Sequence, residues 1–396
     1  MKLRIGVIFG GETVEHEVSI ISAVQAMKFL DSNKYEIVPI YITKEKEWYT
    51  GNLLKDISNY QDLDNLKKYA KKIILCNKNG RFILQSTKGL KRVINEIDIA
   101  FPIVHGVNIE DGTLAGYLNL IGIPYVGSDI YASVVGQDKV FMKQIFEAEK
   151  MPITKYEWFF DSEYIDDSKP IIERIKKLNF PVIVKPAKLG SSIGISKVNK
   201  IEEIDRAIED AMQYDNKIVV EEVVNDLIEV NCAVLGNYEY QQTSEIEEVI
   251  SADEFLTYRD KYLGNTKGGK SKGMASTNRR IPANIDDELR KEIRDLAKKV
   301  FRVLNSSGVC RIDFLVDGKK NKVYINEINT IPGSLSFYLF EPIGKDYTSL
   351  LDDLITLGIK EYKRKTKMVY SFESNILKDF NGLKGSKGKL KFRQLK

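Results

Sequence analysis

Two short runs, Arg311-Ile-Asp-Phe-Leu-Val316 and Lys322-Val-Tyr-Ile-Asn-Glu-Ile-Asn329, flank a turn containing Asp317-Gly318. An Asp-Gly pair between alternating apolar positions is a strong hairpin signal. Side chains on a strand repeat every two residues, so Arg311 and Asp313 share a face of the first strand, and Glu327 and Asn329 a face of the second. Carboxylates set among Ile, Phe and Val are costly to bury without a counter-charge. Two carboxylates and an amide oxygen are hard donors suited to Mg²⁺ held jointly with substrate phosphates. An ion pair of Arg311 with Asp313 or Glu327 on a solvated face meets the same requirement without a metal. From the hairpin alone both readings stand.

A second constellation lies upstream. Phe180-Pro-Val-Ile-Val-Lys185-Pro186 ends an apolar run with a lysine, and Gly190-Ser-Ser-Ile-Gly194 follows closely. An ammonium emerging from such a strand needs an anion, and a loop whose backbone N–H groups are freed by glycines can cover phosphate oxygens. A tight turn with Lys185 in solvent is the alternative. The run Gly264-Asn-Thr-Lys-Gly-Gly269-Lys270-Ser271 satisfies the Walker A pattern literally. A working P-loop, however, joins a buried strand to a helix, and neither Tyr258-Arg-Asp-Lys-Tyr262 nor Lys272-Gly-Met-Ala-Ser-Thr-Asn-Arg-Arg280 supplies one. The segment reads instead as a long basic loop, with four glycines between Gly264 and Gly273, that can close over phosphate.

Only two histidines occur, His16 and His105, each beside glycines and carboxylates: Gly10-Gly-Glu-Thr-Val-Glu15-His16-Glu17 and His105-Gly-Val-Asn-Ile-Glu110-Asp111-Gly112. Each follows a run that reads as a strand, which is where open α/β sheets bind ligands. Glu15 with His105 could hold a substrate ammonium. A carboxylate at a helix N-terminus and a surface histidine form the plainer alternative. Zinc is disfavoured, because no HxxxH pair or cysteine partner accompanies either histidine.

These residues need a scaffold. Residues 3–9 read as a strand, Gly10-Gly11 as a turn, and the following run as a helix with Val18, Ile21, Val24 and Phe29 at helical spacing. A second strand over residues 35–42 completes the opening of a parallel α/β unit. A strand over 97–104 and a helix over 134–149 follow, while residues 42–95 are polar and give no clear element. From about residue 180 the texture changes to short β-rich runs at 181–185, 218–224, 231–235, 308–315 and 322–328. The strongest helix spans 286–304, with Leu289, Ile293, Leu296, Ala297, Val300, Phe301 and Leu304 on one face. The expected class is therefore parallel α/β first, then α+β with antiparallel sheet backed by helices.

A chain of 396 residues with 43% hydrophobic and 29% charged content can build two or three domains, which excludes disordered and fibrous classes. No run approaches the ~20 apolar residues of a bilayer crossing, and Ile5 to Phe9 is too short for a signal-peptide core. A cytoplasmic protein with no membrane partner is expected. Cys76, Cys232 and Cys310 are too few and too scattered for a disulfide framework or a CxxC site. The net charge of +4 hides an acidic body, because residues 361–396 hold 11 basic and 3 acidic residues. Such a tail can touch nucleic acid or anionic lipid, but a solvated tail is the expected outcome.

Together these segments resemble the ATP-grasp ligases, and within them the D-alanine:D-alanine ligase family, over roughly residues 1–355. The matches, in chain order, are Gly10-Gly-Glu-Thr-Val-Glu-His-Glu-Val-Ser19, His105 to Gly112, Asp138-Lys139, Val184-Lys-Pro-Ala-Lys-Leu-Gly-Ser-Ser-Ile-Gly194, Asp260-Lys-Tyr262, Arg311-Ile-Asp313 and Asn326-Glu-Ile-Asn-Thr-Ile-Pro-Gly333. The resemblance implies an N-terminal parallel α/β domain (1–127), a central ATP-grasp lobe (128–224), a C-terminal ATP-grasp lobe with the Mg²⁺ site and lid (225–360), and a basic tail (361–396) outside it. It also implies ATP, two Mg²⁺ ions for which Mn²⁺ can substitute, a homodimer, and two D-alanines joined through a D-alanyl phosphate. By the same motifs Glu15 would hold the first ammonium with His105 close by, and Ser191 and Tyr262 would link to Glu15. Lys139, Lys185 and Lys261 would bind phosphates, with Ser192 in the covering loop. Glu222 would lie in the adenine-binding strand and Glu229 would reach the ribose. Asp313, Glu327 and Asn329 would be the metal ligands, and Arg311 with the Gly333 amide would stabilise the tetrahedral oxyanion.

The departures bear on the second substrate. Where the family carries a serine that contacts the second amino acid's carboxylate, this chain has Tyr338, within Ser334-Leu-Ser-Phe-Tyr-Leu-Phe-Glu341-Pro342. A phenol can replace that hydrogen bond, whereas Glu341 would repel a carboxylate unless it faces away. Ile109, Thr13 and Ala115 replace the usual glycine, serine and glutamine beside the site. The same chemistry with D-serine or another amino acid is the nearest alternative, with D-lactate disfavoured by Tyr262. A non-catalytic ATP-binding protein is the alternative of a different class.

Overall fold

The computed structural model describes residues 2–89, 92–250 and 279–372. Lys261, Tyr262, the Walker-like run and the tail beyond Phe372 lie outside them.

Residues 2–102 contribute a seven-stranded sheet of β1 (Leu3–Gly10), β2 (Tyr35–Ile42), β3 (Trp48–Thr50), β4 (Lys71–Lys78), β5 (Arg81–Ser86), β6 (Val93–Ile97) and β7 (Ile99–Pro102). Its order is β6-β5-β4-β3-β2-β1-β7. Strand β1 runs parallel to both β2 and β7, the expected α/β opening. The polar stretch that gave no element instead adds four strands, β3 to β6, as an antiparallel extension from β2. The expected strand over 97–104 is the shorter β7, Ile99–Pro102; Ile97 instead ends β6, and between them the Asp98 carboxylate accepts from the Arg4 amide at 2.8 Å.

The helix His16–Phe29 packs on this sheet with Val18, Ile20, Ala23, Val24 and Met27 buried. Ile21 and Phe29, expected on the inner face, are 39% and 46% exposed. Their places are taken by small residues, Ser19, Ser22 and Ala26, because the helix is also covered by the 333–336 segment.

Two antiparallel sheets follow. The first, ordered β10-β9-β11-β8, contains β8 (Tyr156–Phe160), β9 (Val182–Pro186), β10 (Ser196–Val198) and β11 (Lys217–Glu222). Its apolar side packs Val182, Val184, Ile218 and Val220 against Ile171, Ile175, Ile204 and Ile208. The second, ordered β14-β13-β12-β15-β16, contains β12 (Leu227–Gly236), β13 (Gln241–Val249), β14 (Arg279–Arg280), β15 (Gly308–Asp317) and β16 (Lys322–Asn329). The helix Asp287–Val303, capped by Asp286 through the Leu289 amide at 2.8 Å, buries Leu289, Ile293, Ala297, Val300 and Phe301 on it. The helix expected over 134–149 is two, Ile130–Gln137 and Lys139–Ala148. Asp138 ends the first and caps the second, accepting from the Val140 and Phe141 amides.

Candidate functional site

A cavity of about 270 Å³ opens where the three sheets meet. Residues from all three line it, including Glu15 and His105, Lys185 and Ser191, and Arg311 and Glu327.

The hairpin forms with the expected alternation. Across β15 and β16, Asp313 lies opposite Glu327 and Arg311 opposite Asn329, with a bulge following Asp313. All four side chains border the cavity. Arg311 donates from Nε and Nη2 to the two Asp313 oxygens, both at 2.7 Å. Asn329 Nδ2 donates to Asp313 Oδ2 at 3.1 Å. Burial works against the Arg311 charge, but Asp313 outweighs it and raises the guanidinium well above its usual value. Lys139 Nζ lies 3.3 Å from Glu327 and donates to the Leu189 carbonyl at 3.0 Å. The ion-pair reading of the hairpin is therefore present, and the hard donors stay gathered beside it. Among the described residues no group of three or more His, Cys, Asp or Glu is arranged to hold a metal ion by itself. Two carboxylates and an amide leave positions that phosphate oxygens and water fill around Mg²⁺, so the donor set fits that ion.

Lys185 is buried and ion-paired with Glu221, not solvated. Beyond it, Ser191 and Ser192 have φ of 58° and 57°. These left-handed residues fold the loop back so that the Ser191 hydroxyl donates to Glu15 Oε1. Glu15 itself precedes the helix His16–Phe29 as its N-terminal flanking residue. The expected Glu15–Ser191 link is thus formed between the first and second sheets.

His105 is buried beside Glu15, bonded through Nδ1 to the Ile331 carbonyl at 2.8 Å and through Nε2 to Ser22 at 3.2 Å. Desolvation lowers its pKa despite the Glu15 charge, so the ring is neutral. It ties the first sheet to the segment after β16. His16, bonded to the Gly11 carbonyl at 2.6 Å and to Tyr41 at 3.0 Å, does not line the cavity.

Glu222, Glu229, Ser192 and Gly333 also line the cavity. Glu222 Oε1 accepts from Asn179 N at 3.0 Å and Nδ2 at 2.8 Å. The Tyr338 hydroxyl donates to Glu247 Oε2 at 3.1 Å, and the Arg279 guanidinium lies 4.4 Å from its ring centroid. Burial and the Glu247 charge push the phenol up to about 12. Glu341 is exposed and does not line the cavity, so the anticipated repulsion does not arise.

Four residues escaped the sequence reading. Glu110 accepts from the Gly106 and Ile331 amides at 2.9 Å and from Thr330 at 3.1 Å, and desolvation raises its pKa to about 7. Glu221 lies under Lys185, Glu247 on the unread strand β13, and Arg279 3.5 Å from Glu247. The available signal for Glu221 was its place beside Glu222 at the end of an apolar run.

The D-ala D-ala ligase N-terminus family model matches residues 4–128, and the D-ala D-ala ligase C-terminus model matches residues 145–356. A D-alanine–D-alanine ligase of Thermosipho melanesiensis is 39% identical over 378 residues, 95% of this chain and 98% of that protein. The same enzyme of Caldicellulosiruptor bescii is 40% identical over 380 residues, covering 94% and 99%. Among solved structures, the D-alanine-D-alanine ligase of Coxiella burnetii superposes with a TM-score of 0.77 at 29% identity, over 92% of this chain and 96% of that one. The VanG D-Ala:D-Ser ligase of Enterococcus faecalis gives 0.76 at 31%, over 90% and 100%. With both halves matched and near full-length relatives at this identity, the chain belongs to the D-alanine–D-alanine ligase family of ATP-grasp enzymes.

Proposed function

We propose that the protein joins two D-alanines at the expense of ATP, through a D-alanyl phosphate, to supply D-alanyl-D-alanine for peptidoglycan. The observation that carries this reading is one cavity that gathers Glu15 braced by Ser191, Lys139 and Lys185, and the Arg311-Asp313-Glu327-Asn329 face. Glu15 receives the ammonium of the first D-alanine. Lys139, Lys185 and the Ser191-Ser192 loop hold the nucleotide phosphates, while Glu222 and Glu229 border its adenosine. The first carboxylate attacks the terminal phosphorus and ADP leaves. The amine of the second D-alanine then attacks the acyl carbon, and phosphate departs. Arg311 and the Gly333 amide stabilise the oxyanion of that step, where charge develops. Asp313, Glu327 and Asn329 would hold two Mg²⁺, or Mn²⁺ in their place, which neutralise phosphate charge when bound. Lys261 and Tyr262, expected from the resemblance to bind phosphate and to link to Glu15, lie outside the described residues.

The proposed divisions at residues 127 and 224 lie between successive sheets, whereas the one at 360 lies inside the helix Tyr347–Lys365. Cytoplasmic location and a homodimer belong to the same reading. Among the described residues no helix is long and apolar enough to cross a membrane.

A second reading, with D-serine or another amino acid as the second substrate, is favoured by Tyr338 with its partners Glu247 and Arg279. ADP release from the full chain with ATP, Mg²⁺ and D-alanine alone tests the first reading. Turnover supports it, silence with D-alanine but turnover with a D-alanine and D-serine pair selects the second, and silence with every pair overturns both.

A further inference from the structure

Beneath the cavity lies a charge cluster of which the reaction as derived uses Lys185 alone. Lys143 is fully buried, one helical turn after Lys139 on the helix Lys139–Ala148. Its Nζ lies 2.7 Å from Glu221 Oε2 and donates to Thr154 Oγ1 at 3.0 Å. Thr154 in turn donates to the same Glu221 oxygen at 2.8 Å. The other Glu221 oxygen pairs with Lys185. Glu221 is 3% exposed, so one interior carboxylate is shared by two ammonium groups, and of these three side chains only Glu221 and Lys185 reach the cavity.

Such a group carries one surplus positive charge, and burying it is costly unless an anion completes it. If Lys185 were the only cation on Glu221, any movement of Lys185 toward a phosphate would strand an interior carboxylate with the Thr154 hydroxyl and no counter-charge. Lys143 removes that obstacle. Desolvation alone would raise the Glu221 pKa, but Lys143 and then Lys185 outweigh it and hold the carboxylate ionised below its ordinary range.

We propose that Lys143 is a positioning residue for nucleotide binding: it is the standing counter-ion of Glu221, which lets Lys185 leave that carboxylate for a phosphate oxygen. The inference rests on the reading that Lys185 meets ATP. It assigns to a residue outside the cavity a share of the affinity for phosphate and none of the affinity for amino acids.

The test is titration of the full chain with the Mg²⁺ complex of adenylyl imidodiphosphate, and separately with adenosine, which has no phosphate to draw on Lys185. Lys143→Met should bind the triphosphate analogue about tenfold to a hundredfold more weakly, since Lys185 is then held by an otherwise unpaired carboxylate. Adenosine binding should not change. Lys143→Met with Glu221→Gln should regain most of the loss, because nothing then competes for Lys185. Should Lys143→Met fail to fold, Glu221→Gln alone still decides the matter, and it should bind the analogue as tightly as the native chain or more tightly. Unchanged analogue affinity in folded Lys143→Met, equal losses for adenosine, or a tenfold weaker analogue with Glu221→Gln would each overturn the inference. A native chain that binds no adenine nucleotide would instead overturn the proposed function.

Discussion

Arg311 is held by one partner and needed by another. Both of its side-chain hydrogen bonds go to Asp313, the residue that would also hold Mg²⁺ in the proposed reaction. A metal held by Asp313 would leave the guanidinium donors available to the oxyanion. Arg311→Ala should lower kcat about 10²–10³-fold, the usual loss for one oxyanion donor. It should also lower stability by up to about 3 kcal/mol, because Asp313 loses its partner. Turnover is therefore compared well below both melting temperatures, and near-native kcat in the folded variant would remove Arg311 from the role. Tyr338 makes a separate prediction. Tyr338→Phe keeps the ring under Arg279 and the Arg279–Glu247 pair but removes the hydroxyl, so KM for the second amino acid should rise about tenfold while KM for the first is unchanged. Equal changes in both constants would place Tyr338 in the scaffold and not in the second pocket. The period of two in the hairpin made Arg311 and Asp313 readable in advance. The Tyr338 partner Glu247 was not, because Gln241–Val249 carries three glutamates in nine residues and shows no apolar alternation.

At the scale of elements, the loop after β7 and the segment after β16 are joined by Glu110 and His105. Both links are side chain to backbone across more than 200 positions, which no local pattern announces. The Glu110 carboxyl has an ordinary pKa of 4.5, raised to about 7 by burial. The folded chain thus binds its proton more tightly than the unfolded chain. Stability from this group is full below about pH 4.5 and is lost as pH rises through about 7. Glu110→Gln should therefore destabilise most in acid and least near pH 8. Denaturant midpoints of the two proteins at matched pH measure that difference, and a gap that widens with rising pH would contradict the assignment. Strands β3 to β6 were hidden for a related reason. Their burial is partial along β4 and β6, and the apolar residues there fall in short consecutive runs, Ile73-Ile74-Leu75-Cys76 and Val93-Ile94, without the alternation that marks a half-buried strand. The long helix Asp287–Val303 was plain because one face is wholly apolar and Asp286 marks its start.

At the scale of the molecule, the cavity is bounded by three sheets, of which the second keeps a core of its own while the first shares one with Ala233, Leu235 and Val309 of the third. The second sheet packs around Phe159, Val184 and Ile208, and the third around Phe146, Val300 and Phe314. Direct bonds between sheets at the site are few and polar, notably Ser191 to Glu15 and Lys139 to Glu327. The sequence announced each core through its own periodicity, but the meeting place only through motifs scattered over about 320 residues. A ligand that touches all three sheets must then do more than fill space, since it adds contacts between the second sheet, which has its own core, and the other two. The Mg²⁺ complex of adenylyl imidodiphosphate at a hundred times its Kd should stabilise the native chain by about 2.7 kcal/mol. If the sheets unfold in separate steps without ligand, calorimetry should show those steps draw together when the analogue is present, whereas adenosine should leave them apart. Equal effects of the two ligands would mean that binding engages the second and third sheets at the adenosine end alone, and that the phosphate end does not couple the molecule.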